Sequence, residues 1–269
     1  MTLHGMKLSG KRIFITGAAK GIGREMAIQL AQKQCALILA DRDREALAQT
    51  VKACQTIGHP VEAIELDVCD QQAVASLGVQ VEPVDVLINN AGTVHGGAFL
   101  DVSMGRHQET ADVNFTGLMA VTHALLPGML RQPRATIVNI ASAASFVGLP
   151  FGTSYAATKW AVLGFAESLR LELRELGHDH VHLIHVCPSY IRGALFEGAR
   201  PVGPTRLLLP EAVARRVVDA IEHDRNWVRM PWGVAITRLL MAALPRRLAD
   251  VALRWTGATR SMSDWKGRG

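Results

Sequence analysis

Residues 11–23 of this chain read Lys11-Arg-Ile-Phe-Ile-Thr16-Gly17-Ala-Ala-Lys20-Gly21-Ile22-Gly23. A short apolar run is followed directly by a glycine turn, and the turn is followed by helix-forming residues from 24 to 32. Glycines allow a tight turn and close approach of the backbone to a pyrophosphate, and the N-terminus of the following helix offers free amides to an anion. Because three glycines also occur in ordinary loops, the motif indicates a nucleotide site only in a matching fold.

Apolar runs and helix-like segments alternate six times along the chain. After residues 11–16, the further runs are 35–40, 61–66, 84–88, 135–140 and 181–186. This alternation predicts an α/β chain with a doubly wound parallel sheet, helices on both faces and a single domain. Ligands of such sheets bind at the carboxyl ends of the strands. The unusual residues at or just after these ends are Gly17, Asp41, Asp67, Asn90, Ser142 and Pro188.

The residues after the second strand bear on which dinucleotide is bound. Asp41 lies about 20 residues after the glycine turn, where a carboxylate accepts hydrogen bonds from an adenosine ribose and repels a 2′-phosphate. This favours NAD over NADP. Lys20 and Arg42 argue the other way, since both side chains can neutralise a phosphate. An N-cap of the following helix is the structural alternative for Asp41, although Asp43 suits that position better.

A phenol and an ammonium stand four residues apart in Tyr155-Ala-Ala-Thr-Lys159, which places them on one face of a helix. Free tyrosine titrates near pH 10, so a neighbouring ammonium has to favour the phenolate before Tyr155 can accept a proton at neutral pH. Ser142, at the end of the fifth strand, can hold the oxygen whose proton Tyr155 takes. Alone, such a pair is more often an ordinary amphipathic face.

Two asparagines leave alternatives open. Asn89, which precedes Asn90-Ala91-Gly92 at the end of the fourth strand, suits a cofactor contact and a tie between strands equally. Asn114 lies inside a long apolar helical stretch, where a buried amide needs partners. It either bonds a neighbouring backbone or holds a water in a proton path.

Composition excludes several classes of protein. The chain has 269 residues, of which 49% are hydrophobic and 20% charged, so it can bury one large core. The net charge of +5 is spread along the chain without a basic block, which argues against nucleic acid binding. The four cysteines lack metal-ligand spacing, so we expect reduced thiols and no metal. No signal peptide or membrane-spanning run is evident, and we expect a cytoplasmic protein.

Together these motifs closely resemble the short-chain dehydrogenase/reductase superfamily over about residues 8 to 196. The resemblance implies a Rossmann-type fold with about seven strands and a bound nicotinamide dinucleotide. It implies Tyr155 as general acid/base, Lys159 as the residue that lowers the Tyr155 pKa and holds the nicotinamide ribose, Ser142 at the substrate oxygen, and Asn114 at a relay water. The implied cofactor-binding residues are Gly17, Ala19, Lys20, Gly21, Ile22, Gly23, Asp41, Arg42, Asp67, Val68, Asn90, Ala91, Gly92, Ile140, Tyr155, Lys159, Pro188, Ser189 and Ile191.

Two positions depart from the family pattern. Ser189 follows Pro188 where the family usually has glycine, and Gly193 stands where a threonine often contacts the nicotinamide amide. The resemblance further implies a homodimer or homotetramer, formed through the helices that carry Asn114 and Tyr155. A non-catalytic NAD(P)-sensing protein of the same fold is the alternative function, but such a protein is expected to lose Tyr155 or Lys159.

The substrate is expected to be a hydrophobic secondary alcohol or ketone, or an aldehyde, because the residues around the reacting centre are largely apolar. The predicted substrate pocket consists of Ser142, Phe146, Leu149, Phe151, Tyr190, Leu195 and Phe196. The catalytic domain is assigned to residues 1–229, with a substrate lid at about 193–210. Residues 230–269 are predicted to form an amphipathic helical extension that packs on the body, on a partner subunit or, weakly, on a membrane surface.

Overall fold

A computed structural model describes residues 5–202, 206–236 and 243–265. Seven strands form one parallel sheet in the order β3-β2-β1-β4-β5-β6-β7, which confirms the predicted Rossmann-type α/β fold. The order reverses between β1 and β4, the position at which sheets of this kind bind their ligand. The strands are β1 (Arg12–Thr16), β2 (Ala36–Asp41), β3 (Val61–Glu65), β4 (Val86–Asn89), β5 (Ala135–Ile140), β6 (Val181–Pro188) and β7 (Trp227–Met230).

Helices cover both faces of the sheet. They are α1 (Gly21–Gln32), α2 (Arg44–Gln55), α3 (Gln71–Gln80), α4 (Met104–Ala111), α5 (Gly117–Met129), α6 (Thr153–Glu175), α7 (Pro210–Glu222) and α8 (Arg246–Trp255). A five-residue π-helix, Asp112–Thr116, joins α4 to α5, and short 3-10 turns follow β5 and β6. Sequence periodicity predicts one long helix from residue 112, and it does not distinguish this π-helical turn from α-helix.

The core lies on the two faces of the sheet. On one face, Met26 and Leu30 of α1 pack with Val213 and Val217 of α7. On the other face, α3, α5 and α6 pack against the sheet in a second cluster. Every residue of β5 is buried, as expected for a central strand covered on both sides. Burying each large aliphatic side chain contributes about 1.5–3 kcal/mol, so these two layers fix the positions of the strand ends.

The C-terminal region departs from a continuous helical extension. Residues 227–230 pair with β6 as the edge strand β7, and α8 follows at Arg246–Trp255. Leu248, Val251 and Trp255 of α8 recur at helical spacing and are exposed. Residues 258–265 then return to the body of the protein. The parts of the predicted lid and extension at 203–205, 237–242 and 266–269 lie outside the described residues. No described helix has the length and apolarity to cross a membrane.

Candidate active site

The glycine turn between β1 and α1 is built by close backbone packing. Gly17 and Gly21 have positive φ angles of 64° and 58°, which glycine adopts without strain. A Cβ on Gly23 would lie 2.1 Å from the Gly17 carbonyl oxygen. The Asn90 side chain donates to the carbonyls of Thr16 (3.0 Å) and Gly17 (2.9 Å) and so ties the turn to the end of β4. The turn leaves the first residues of α1 free to face an anion.

Asp41 stabilises the neighbouring loops through both of its carboxylate oxygens. One oxygen accepts from the Ala19 amide at 2.9 Å and the other from the Asp43 amide at 3.0 Å. The N-cap of α2 is Asp43, whose side chain accepts from the Ala46 amide. Asp41 is therefore held beside the glycine turn. The N-cap of α2 is Asp43 and not Asp41.

The two cations that favour NADP both lie next to carboxylates. Lys20 forms an ion pair with Asp43 at 2.5 Å. The Arg42 guanidinium lies 3.9 Å from an oxygen of Asp67 and 3.5 Å from one of Glu109. Because these carboxylates already offset the positive charge, the end of β2 is a less favourable place for a 2′-phosphate than the isolated cations indicate.

A cavity of about 740 Å³ runs along the carboxyl ends of the strands. All the predicted cofactor residues line this cavity except Gly23, which is buried behind the turn. Predicted residues on the wall are Gly17, Ala19, Lys20, Gly21, Ile22, Asp41, Arg42, Asp67, Val68, Asn90, Ala91, Gly92, Ile140, Tyr155, Lys159, Pro188, Ser189 and Ile191. Wall residues that sequence reasoning missed include Leu66, Thr93, His95, Arg106, Glu109 and Val113, which belong to no recognisable motif. The glycine cradle and the acceptor at Asp41 fit a dinucleotide.

Tyr155 is buried at the wall of this cavity, next to Ser142. Burial raises the pKa of the phenol to about 12, and a hydrogen bond with the Ser142 hydroxyl acts weakly in the opposite direction. Ser142 also caps the 3-10 turn after β5, because its Oγ accepts from the Ala144 amide at 3.1 Å. At neutral pH, Tyr155 is therefore a protonated phenol that can donate its proton.

The Lys159 ammonium is held by the backbone at the end of β5. Its Nζ lies 5.7 Å from the Tyr155 ring centroid and donates to the Ile140 carbonyl at 2.8 Å. Burial lowers the pKa of Lys159 itself to about 8. Burial is thus the main cause of the pKa shift of both groups. The Lys159 ammonium donates its hydrogen bond to the Ile140 carbonyl.

Asn114 lies in the π-helix and bonds to protein groups through both ends of its amide. Its Oδ1 accepts from the Thr93 amide at 2.7 Å, and its Nδ2 donates to the Thr93 carbonyl and to Thr158 Oγ1. The structure thus shows the backbone-bonding alternative. Asn89 likewise ties elements together, since its Nδ2 donates to Thr122 and Asn139. Asn114 thus holds the loop after β4, whereas Asn89 links β4 to α5 and β5.

An apolar cluster lies around Tyr155. It contains five predicted pocket residues next to Tyr155, namely Leu149, Phe151, Tyr190, Leu195 and Phe196. The Phe196 ring meets the Tyr155 ring edge-on, with centroids 5.9 Å apart. Two members from the end of the described chain, Met262 and Trp265, were missed, because nothing in their local sequence points to the pocket.

The structure places Phe146 outside the apolar cluster around Tyr155. Ala144 in the 3-10 turn Ala143–Ser145 packs in the cluster of Tyr155, whereas Phe146, directly after the turn, packs in a different cluster. Phe146 packs there against Trp227, with ring centroids 6.4 Å apart.

Comparison with known proteins gives a consistent set of relatives. The family model described as short chain dehydrogenase matches residues 11–201. Epidermal retinol dehydrogenase 2 of Mus musculus is 31% identical over 97% of this chain and 87% of that protein. Ketoacyl reductase HetN of Nostoc sp. is 32% identical over 93% of this chain and 90% of that protein. A short-chain dehydrogenase/reductase from Burkholderia phymatum, solved in complex with NAD, is 29% identical with a TM-score of 0.79 over 93% of this chain and 96% of that one.

Proposed function

Because the chain belongs to the short-chain dehydrogenase family, we propose that it transfers a hydride between NAD and a hydrophobic secondary alcohol or ketone, or an aldehyde. Membership of this family supports an NAD(P)-dependent oxidoreductase. The choice of proton donor and substrate class rests on one observation: the Tyr155 phenol, next to the Ser142 hydroxyl, lies where the dinucleotide cavity meets an apolar cluster.

The protein's own residues handle the proton. When bound, the dinucleotide supplies or accepts the hydride. In the reducing direction, Tyr155 donates its phenolic proton to the carbonyl oxygen, which Ser142 holds by a hydrogen bond. In the oxidising direction, the deprotonated phenolate of Tyr155 accepts the hydroxyl proton, and Ser142 keeps its hydrogen bond to the substrate oxygen. Lys159, fixed by the Ile140 carbonyl, holds its nitrogen at the cavity wall, where it can bond a cofactor ribose.

The preference for NAD rests on charge at the end of β2. Asp41 presents a carboxylate to the cavity, while Lys20 and Arg42 lie within ion-pairing distance of other carboxylates. A 2′-phosphate at this position meets net negative charge, which disfavours NADP. The ribose hydroxyls of NAD find an acceptor there instead.

The hydrophobic substrate class is supported by the composition of the apolar cluster. The side chains beside Tyr155 are mainly aliphatic and aromatic. The nearby cation Arg200 forms an ion pair with Asp264, so its charge is already compensated. Retinol and a ketoacyl group, named for two relatives, are chemically different substrates, so the relatives support the reaction class more than any one compound.

A dehydrogenase screen tests the function. The protein is assayed with aliphatic, steroid and aromatic alcohols, and with the corresponding ketones, using NAD(H) and NADP(H) separately. We expect NAD-linked turnover of at least one hydrophobic alcohol, with saturation kinetics. Tight NAD binding without turnover of any compound would instead support the alternative function, a non-catalytic sensor of the dinucleotide.

The Asp41→Ala variant tests the cofactor preference. Loss of the ribose acceptor is expected to weaken NAD binding by roughly 10- to 100-fold, the effect of one or two hydrogen bonds to a charged group, and to tighten NADP binding, because a carboxylate that repels the 2′-phosphate is removed. Calorimetric titration of both dinucleotides measures this. Asp70→Ala, which removes the N-cap carboxylate of α3, is the control for loss of an acidic side chain. Tighter binding of NADP than NAD by the wild type would refute the assignment.

A further inference from the structure

Residues 258–265, which we term the returning tail, lie across the substrate side of the site. The tail begins after Gly257, whose φ of 77° turns the chain at the end of α8. Met262 is only 1% exposed, although it lies near the end of the described chain. A methionine so deeply buried beyond the seven-stranded domain indicates that the tail completes an apolar site.

Hydrogen bonds fasten the returning tail to the segment 190–200, which includes the start of the predicted lid. The hydroxyls of Tyr190 and Ser261 lie 2.6 Å apart, and the Arg200 amide donates to the Ser261 carbonyl at 2.7 Å. The Trp265 indole donates to the Leu195 carbonyl at 3.0 Å. Each bond joins the tail to a residue within ten positions of Tyr190.

Apolar packing brings the returning tail next to the reacting phenol. Met262 and Trp265 belong to the same cluster as Tyr155 and Phe196. Trp265 also covers Gly96, where a Cβ would come within 2.7 Å of the indole ring. The tail is therefore packed from two sides, by the lid segment and by the loop after β4, beside the cluster that contains Tyr155.

We propose that the returning tail forms a wall of the substrate site and that Met262 is a specificity-determining residue, which limits the length of the hydrophobic alcohol accepted. This inference rests on the proposed function, because it concerns that same site. A flexible thioether in a buried cluster adapts to the group beside it, so a change in its volume alters the available space directly. Trp265 and Ser261 act as positioning residues, since they hold the tail against the lid segment.

Binding to the NADH complex tests the inference without relying on turnover, because an alcohol and NADH do not react together. The probes are 2-butanol, 2-octanol and 2-dodecanol, titrated by calorimetry into the wild type, Met262→Ala and Met262→Phe. We expect Met262→Ala to raise the affinity for 2-dodecanol relative to 2-butanol by about tenfold and Met262→Phe to lower it, since two or three methylenes in an apolar site are discriminated at this level.

Partial unfolding cannot shift the affinity ratio of 2-dodecanol to 2-butanol in opposite directions in the two variants. An unchanged affinity for NADH shows that each variant is folded. Met104→Ala, which alters an exposed methionine of α4, is the matched control. It is expected to leave the affinity for 2-dodecanol relative to 2-butanol unchanged. The same affinity ratio in all four proteins, or no binding of any of these alcohols, would overturn the role of Met262. Wild-type binding of these alcohols without turnover with NAD would overturn the proposed function alone.

Discussion

A Tyr155→Phe variant is expected to transfer hydride about 10³-fold more slowly than the wild type while binding NAD with similar affinity. The substitution removes one hydroxyl from a fully buried ring and keeps the ring's packing against Phe196. General acid–base catalysis contributes typically 10²- to 10⁴-fold, and the remaining groups near the reacting centre do not replace the lost proton donor. Single-turnover measurements with a saturating hydrophobic alcohol or ketone isolate the chemical step.

The matched control is Tyr190→Phe, since the chain has two tyrosines and both belong to the apolar cluster. The Tyr190 hydroxyl bonds Ser261 rather than Ser142, so its removal is expected to reduce the rate by less than about tenfold. Equal losses in the two variants would show that the effect comes from disturbed packing. A wild-type rate in Tyr155→Phe would remove this residue from the mechanism.

A Gly23→Ala variant is expected to lose most of its NAD affinity, about 100-fold or more, and about 2–3 kcal/mol of unfolding free energy. The added Cβ would lie 2.1 Å from the Gly17 carbonyl and 2.6 Å from Asn90 Nδ2, so the turn and its tie to β4 must move. Overpacking of a buried backbone contact costs typically 1–3 kcal/mol. Because the turn itself faces the cavity, this displacement also removes the cradle for the pyrophosphate.

Chemical denaturation and NAD titration measure both effects in the same preparation. The control is Gly105→Ala in α4, where an added Cβ meets nothing within 4 Å. Alanine is the better helix former there, so a gain of up to about 1 kcal/mol and unchanged NAD affinity are expected. If Gly23→Ala behaves like Gly105→Ala, the close packing of the turn does not determine binding.

Much of the fold can be predicted from the sequence because the interior strands are continuous apolar runs. Strands β1, β2 and β5 fall where such runs occur, since both of their faces are buried. The seventh strand is different: Trp227–Met230 lies at the sheet edge, and its residues alternate little in polarity. Short edge strands carry weak patterns, so β7 was expected only from the family resemblance.

The cofactor side of the site can be predicted because its residues directly follow strand ends, and parallel strands bring those ends together. The substrate side cannot be predicted in this way. A three-residue 3-10 turn separates Phe146 from the cluster around Tyr155, and Met262 joins that cluster only through tertiary packing. Helical spacing gives the distance between Tyr155 and Lys159 but not their depth of burial, which raises the pKa of Tyr155.

The π-helix at Asp112–Thr116 has a consequence for how this protein can vary by insertion and deletion. A π-helical turn holds one residue more than an α-helical turn, so losing one residue here restores a regular helix. The same loss removes the wide turn that contains Asn114, while α4 and α5 keep nearly the same rotation relative to each other, because five residues of a π-helix cover about the same angle as four of an α-helix. Asn114 then no longer meets Thr93 and Thr158. A gene with one codon missing in this segment is therefore expected to encode a chain that keeps its helix and loses the alignment of its site.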